Sequence, residues 1–394
     1  MKRNISKTLA ILVTLALVMS LAAVSAFAVS GGETSFKKTF AIPESANVPN
    51  VEFTYTIVPG DPVPVGEGNE IAIFAGIGNP TIEHAVFPTN DTTPDVNNGT
   101  TDPTDSTKKI YIDNVFIDLS GINFTEAGVY RYVVTEENGN LPGVKYDEAT
   151  TRYLDVFVFP QDTDNDPTTA DELAVTTYSL TNTTSNFEKY FDETEQIWKY
   201  RYVEEGNRTK TSGYRNELET VDLAFSKKIE GNQADMTKRF EYTLTLSNVN
   251  PGTYNLEISS ADVIGNDSNV TANNGAYTIT VGSNGTYTGK FYLTNADYVK
   301  VLDLNKGYNY EVAEVAEDYT STDGVDNEGT DNDYLDPTSG SNITADLTKT
   351  GYTNSRTGII PTGVILTVAP FMIGLLLFGA IMMFMISRRR RATY

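Results

Sequence analysis

From residue 51 to residue 312 the sequence is organised by a period of two. Apolar and polar residues alternate through 51–57, 129–134, 153–159, 240–246 and 308–312, and these runs are rich in Val, Tyr and Thr. Side chains of a strand point alternately to opposite faces, so this period buries one face of a sheet and wets the other. Turn-rich stretches, 88–107 and 318–341, separate the runs, and no long helical period appears outside the two ends. The pattern predicts an all-β chain. About 330 residues lie between the ends, too many for one typical sandwich and comfortable for two immunoglobulin-like β-sandwiches in tandem.

Both ends read as processing signals. Lys2, Arg3 and Lys7 precede an apolar run over 9–24, and Ala26-Phe27-Ala28 supplies a small-x-small cleavage pattern. Residues 1–28 are therefore expected to be a secretory signal peptide cut after Ala28. At the other end, residues 364–386 carry no charge, a length that suits a hydrocarbon layer of about 30 Å. Arg388, Arg389, Arg390 and Arg391 follow at once. Because positive residues stay on the cytoplasmic side, a transmembrane helix is expected over 364–387 and a basic cytoplasmic tail over 388–394, with the bulk of the chain outside.

Ile360-Pro361-Thr362-Gly363 stands immediately before that span. A sortase attacks the Thr–Gly carbonyl with a cysteine, forms an acyl-enzyme and passes the threonine carboxyl to an amine. Proline gives a kinked, extended approach and glycine leaves room at the carbonyl. This tetrapeptide, then an apolar span, then a basic tail is the three-part order of a wall-sorting signal. Residues 356–363 are assigned to it.

Composition narrows the partners. The chain has 29 basic and 52 acidic residues; three basic residues go with the signal peptide and four with the tail, leaving 22 against 52. Such an acidic surface argues against nucleic acid or anionic lipid. A single histidine, His84, rules out a multi-histidine metal site and leaves hydrolase chemistry no evident cluster. No metal, no cofactor and no enzymatic turnover are expected. Residues 162–166 resemble the start of a calcium loop, but Pro167 stands where glycine is required. The absence of cysteine in an exported chain raises the question of what else staples the fold.

A weak internal repeat supplies a candidate. Phe36-Lys37-Lys38 matches Phe225-Ser226-Lys227, the Tyr-rich run ending at Glu136 matches the one ending at Glu314, and Tyr214-Arg215-Asn216 matches Tyr352-Thr353-Asn354. Two domains follow, 29–218 and 219–355, linked within 217–222. Each opens with a lysine on a strand and closes near an asparagine. On a core-facing strand, burial disfavours the charged amine and so favours a neutral nucleophile, and it likewise favours an uncharged carboxylic acid. That acid can hydrogen-bond the asparagine amide and polarise its carbonyl. Lysine attack and loss of ammonia then leave an isopeptide bond, Lys38–Asn216 promoted by Glu136 and Lys227–Asn354 promoted by Glu314. Each bond would close nearly a whole domain, worth about 5 kcal/mol by the loop-closure argument used for disulfides.

With these residues in place, the chain resembles the streptococcal major (backbone) pilins of the T-antigen kind. The resemblance is clearest at 128–137, at 141–147 and in the tail around Pro361-Thr362-Gly363-Val364, and it runs over essentially the whole chain. It implies two isopeptide-stabilised sandwiches, a covalent polymer of copies of this chain, a pilus-type sortase as partner, tip or base pilins as further partners, and peptidoglycan as the final anchor. It places the chain in the cell wall and pilus after transient membrane anchoring. It also implies an acceptor lysine for Thr362 shortly before the first domain's last strand; Lys210 is the choice, with Lys199 and Lys189 as alternatives. Ile359 departs from the polar or acidic residue usual there. The rival reading is a monomeric wall-anchored adhesin, joined to peptidoglycan through Thr362 and binding a host ligand with its loops.

Overall fold

The computed structural model describes residues 33–65, 72–88, 99–161, 172–183, 187–192, 197–202, 210–265, 269–327, 333–358 and 362–391. The expected signal peptide and the acidic run 162–166 lie outside the described residues.

The first sandwich is built from seven main strands: β1 (Glu33–Pro43), β2 (Tyr55–Pro59), β3 (Lys108–Asp118), β4 (Gly128–Glu136), β5 (Thr151–Gln161), β6 (Glu172–Thr181) and β7 (Gly213–Leu218). One sheet has β1 at its centre, between β7 and β3; the other runs β6-β5-β4-β2. The period of two explains the layering. Phe36, Phe40 and Ile42 alternate inward from β1 and meet Tyr130, Tyr132 and Val134 from β4, all buried. The run 51–57 is not one strand. It breaks at Thr54: Val51–Phe53 pairs with Ala85–Phe87, whereas β2 pairs with β4. Alternation survives such a break because both pieces face the same core.

The second sandwich repeats the plan with β8 (Thr220–Glu230), β9 (Phe240–Ser247), β10 (Gly252–Ile258), β11 (Tyr287–Leu293), β12 (Tyr298–Asn305), β13 (Tyr308–Glu314), β14 (Thr320–Asp323) and β15 (Leu347–Ser355). Its larger sheet contains the order β10-β12-β8-β15-β14, and the facing sheet the order β11-β9-β13. Its core is one cluster of Phe225, Phe240, Tyr242, Leu244, Val301, Tyr310 and their neighbours.

Both sandwiches share one topological feature. The first strand lies beside the last, and the two are parallel: β1 with β7, β8 with β15. A parallel pair needs a long crossover; here the crossover is the rest of the domain. The domains follow each other closely, since β7 ends at Leu218 and β8 begins at Thr220. Glu219 alone separates them, its N–H donating to Gly143 O at 2.7 Å while its carboxylate pairs with Lys306 at 2.7 Å. Asn47 Nδ2 of the first domain also donates to Thr253 O of the second at 3.0 Å, and Ser45 hydrogen-bonds Asp303.

The chain ends in a helix, α1 (Thr362–Arg391). The expected membrane span over 364–387 is not confirmed: among the described residues, no helix is long and apolar enough to cross a membrane. Thr362 and Gly363 open the helix, where an extended segment was expected. Ile360 and Pro361 lie outside the described residues.

Candidate functional site: two buried lysine–glutamate–asparagine clusters

The parallel pairing of first and last strands brings each lysine close to its asparagine. In β1 and β7, Lys38 pairs with Tyr214 and Phe40 with Asn216. In β8 and β15, Lys227 pairs with Tyr352 and Ile229 with Asn354. The offset is the same in both domains: the asparagine stands two residues beyond the lysine's direct partner. Side chains two apart on a strand share a face, so lysine and asparagine are diagonal neighbours on the core face. The glutamates arrive from the facing sheet, Glu136 at the end of β4 and Glu314 at the end of β13.

The glutamate bridges the other two. Lys38 Nζ hydrogen-bonds Glu136 Oε1, and Asn216 Nδ2 donates to the same oxygen at 3.2 Å. Lys227 Nζ hydrogen-bonds Glu314 Oε1, and Asn354 Nδ2 donates to it at 3.0 Å. Both lysine side chains are 0% exposed and both glutamates at most 1%. Burial lowers each ammonium from 10.5 to about 8, against the opposing pull of its glutamate.

Aromatic rings complete the enclosure. Lys38 Nζ sits 4.3 Å from the centroid of Phe53 and 6.0 Å from that of Tyr214; Lys227 Nζ sits 4.4 Å from Phe240 and 6.0 Å from Tyr242. Ring faces attract a cation but solvate it less well than water does. Tyr55 stands opposite Glu136 in register and Tyr242 opposite Glu314. Tyr55 donates its hydroxyl to Glu136 Oε1 at 3.4 Å, and burial keeps the phenols of Tyr55, Tyr214 and Tyr242 protonated.

Chemically, each cluster holds an amine, an amide and a carboxyl in a dry pocket. Moving one proton from Nζ to Oε1 turns the ion pair into a neutral amine beside a carboxylic acid. That acid is already hydrogen-bonded to the amide nitrogen that would leave.

Sequence reasoning overlooked the rings and a pair of glycines. Both were visible as repeats: Phe53-Thr54-Tyr55 with Phe240-Glu241-Tyr242, and Gly213-Tyr214-Arg215-Asn216 with Gly351-Tyr352-Thr353-Asn354. Each glycine abuts the residue before the lysine. A Cβ on Gly213 would lie 1.8 Å from Lys37 O, and one on Gly351 2.3 Å from Ser226 O.

Lys210 lies outside both clusters. It is exposed, three residues before β7, and makes an isolated bridge with Thr181. Lys189 and Lys199 lie on the paired strands Phe187–Asp192 and Ile197–Tyr202, their side chains outside the described residues. Among the described residues, no group of three His, Cys, Asp or Glu could hold a metal ion.

Two families match parts of the chain. A Spy0128-like isopeptide containing domain matches residues 79–192, which include Glu136 but neither Lys38 nor Asn216. A domain of unknown function, DUF7601, matches residues 221–356 and so takes in all of Lys227, Glu314 and Asn354. A protein described as a pilin from Streptococcus pyogenes serotype M1 is 27% identical over 367 residues, covering 90% of this chain and 91% of that one. Among solved structures, the major pilin protein T3.2 from S. pyogenes serotype GAS13637 superposes with a TM-score of 0.55 at 19% identity, covering 83% of this chain and 99% of that one. The major pilin from S. pyogenes gives a TM-score of 0.52 at 21% identity, with 84% and 100% covered. At these identities the structures establish a shared fold.

Proposed function

We propose that this chain, similar over nearly its whole length to the streptococcal major pilins of the T-antigen kind, is the repeating shaft subunit of a covalently assembled pilus on a Gram-positive-type surface. The observation that carries the reading is the duplicated cluster. Two sandwiches with different loops keep the same lysine-to-asparagine offset, the same facing glutamate and a matching phenylalanine ring over the lysine nitrogen, Phe53 in one and Phe240 in the other.

Each cluster makes one bond, once. The neutral Lys38 amine adds to Cγ of Asn216; Glu136 takes the amine proton and delivers a proton to Nδ2; the C–N bond to Nδ2 breaks and ammonia leaves. The products are an amide between Nζ and Cγ and free ammonia, with the proton first taken from the lysine ammonium left on the glutamate as a carboxylic acid. Lys227, Glu314 and Asn354 do the same in the second domain. This is maturation without turnover, and it answers for a fold that has no cysteine.

Between subunits, a sortase would cleave after Thr362 within Ile360-Pro361-Thr362-Gly363 and join the threonine carboxyl to Lys210 of the next copy. The signal peptide, the apolar segment of α1 and the basic tail would export the chain and hold it at the membrane until that step. Tip or base pilins and peptidoglycan would terminate the polymer.

The intact mass of residues 29–362 tests the internal bonds. Each bond expels one ammonia, about 17 Da. The expected result is a deficit of two ammonias, with one restored in Glu136→Ala and one in Glu314→Ala; the full calculated mass would sink the self-crosslinking reading. Wall extracts test the polymer. High-mass ladders that vanish in Lys210→Ala support the shaft, whereas a single band unaffected by the substitution favours the monomeric adhesin.

A further inference from the structure

Addition of the lysine amine to Cγ drives negative charge onto the asparagine carbonyl oxygen, and the two domains treat that oxygen differently. In the first, Asn216 Oδ1 accepts a hydrogen bond from the Asp147 backbone N–H at 2.8 Å. In the second, Asn354 Oδ1 is buried and, among the described residues, no donor reaches it. We propose that the Asp147 N–H is an oxyanion donor for the Lys38–Asn216 bond, that the second domain has no counterpart, and that the first bond consequently forms faster than the second. This rests on the self-crosslinking reading above.

The difference has a topological cause. Beside β7 the flanking strand is only Val144–Lys145, whose last pair is Lys145 with Glu217. The chain leaves the ladder there, and Asp147 N–H is free to turn onto the Asn216 side chain. The turn is pinned: Asp147 Oδ2 accepts from Arg215 N at 3.1 Å and from Arg152 Nη2 at 2.7 Å, and Oδ1 accepts from Ala149 N at 3.0 Å. Arg152 stacks 4.8 Å from the Tyr214 centroid and offsets the Asp147 charge. Beside β15, by contrast, β14 continues the ladder through the pair Ser321 with Asn354. Its backbone is committed to strand pairing, and the Ser321 hydroxyl donates to Glu314 Oε2 at 2.9 Å instead.

The reaction is as already balanced: Nζ–Cγ forms, Cγ–Nδ2 breaks, and ammonia carries off the amide nitrogen. The Asp147 N–H exchanges no proton. It stabilises the tetrahedral oxyanion that precedes ammonia loss, in a dry site where one such donor is worth roughly 100-fold in rate.

The test uses the whole chain, recovered unfolded in denaturant so that neither bond has formed, then diluted into native buffer. Lys227→Met leaves only the first domain able to close, and Lys38→Met only the second. Circular dichroism fixes the time of folding, and acid-quenched intact masses follow ammonia loss. The expected result is first-domain closure at least about tenfold faster than second-domain closure. A smaller ratio, or a faster second domain, overturns the proposal. In the Lys227→Met background, Asp147→Pro deletes the N–H and is expected to slow closure at least about tenfold, while Asp147→Asn, which keeps the N–H and a side-chain acceptor, stays within about tenfold of the parent. A folded Asp147→Pro that closes at the parental rate also overturns it; should that variant not fold, the ratio between domains decides. If neither domain loses ammonia, the self-crosslinking reading itself has failed, which is a separate outcome.

Discussion

A lysine and a glutamate buried together count protons as a pair, and this fixes how the proposed reaction responds to pH. The reactive arrangement, neutral amine beside carboxylic acid, carries one shared proton and is a tautomer of the ion pair seen for Lys38 with Glu136 and Lys227 with Glu314. Its share is therefore constant while the pair holds one proton. Both lysines lose theirs at about 8, burial having lowered them from 10.5. Above that pH the pair becomes amine plus carboxylate, which has no proton to give to the leaving nitrogen. Closure after dilution from denaturant is thus expected to be level up to about pH 8 and to fall about tenfold per unit beyond it. If the free amine alone limited the rate, the profile would instead climb to about 8 and level off. Following ammonia loss by mass from about pH 6.5 to 9.5 separates the two.

At the scale of strands, the cluster depends on how closely the first and last strands approach. Gly351 faces Ser226, the residue before Lys227, and a Cβ there would meet Ser226 O at 2.3 Å. Backbone carbonyls cannot step aside as a flexible side chain can. Gly351→Ala is expected to push β15 from β8, move Asn354 off Glu314, slow second-domain closure by tenfold or more and cost the unbonded domain about 1–3 kcal/mol. Ammonia loss and denaturant midpoints of the variant, beside Gly351 itself, check both effects; an unchanged rate would show that strand spacing does not position the asparagine. The strands were legible in the sequence because period two is local, and lysine, glutamate and asparagine could be matched because the chain repeats them in order. What could not be read is nonlocal. The offset that sets Asn216 two residues past Tyr214 depends on a pairing that closes only after the whole domain has folded. The break at Thr54 keeps its alternation and so leaves no trace. Asp147 contributes through its backbone N–H, and no choice of side chain announces that.

At the scale of the molecule, the two proposed bonds would differ in what they do under tension. With subunits joined as proposed, load enters at Lys210 and leaves at Thr362. The shortest covalent path runs through β7, across Glu219, along β8 to Lys227, over the bond to Asn354 and out past β15. Residues 228–353 are bypassed, so the second domain cannot lengthen while its bond is intact. The Lys38–Asn216 bond lies off this path entirely, because Lys38 is far to the amino-terminal side of the entry point. Once formed as proposed, it would secure the first domain against unfolding and carry none of the pull. Without the second bond, load falls on the parallel pair β8 and β15, drawn from opposite ends, so that their hydrogen bonds are sheared together before they part. Polymers stretched one at a time are therefore expected to show no stepwise lengthening in the parent. In Glu314→Ala, repeated steps of roughly 400 Å are expected as residues 228–353 pay out. Glu136→Ala is expected to stretch like the parent, although its first domain is the less stable. Steps in Glu136→Ala would mean that load enters ahead of the first domain's last strand by a route through Lys38, and would move the acceptor lysine away from Lys210.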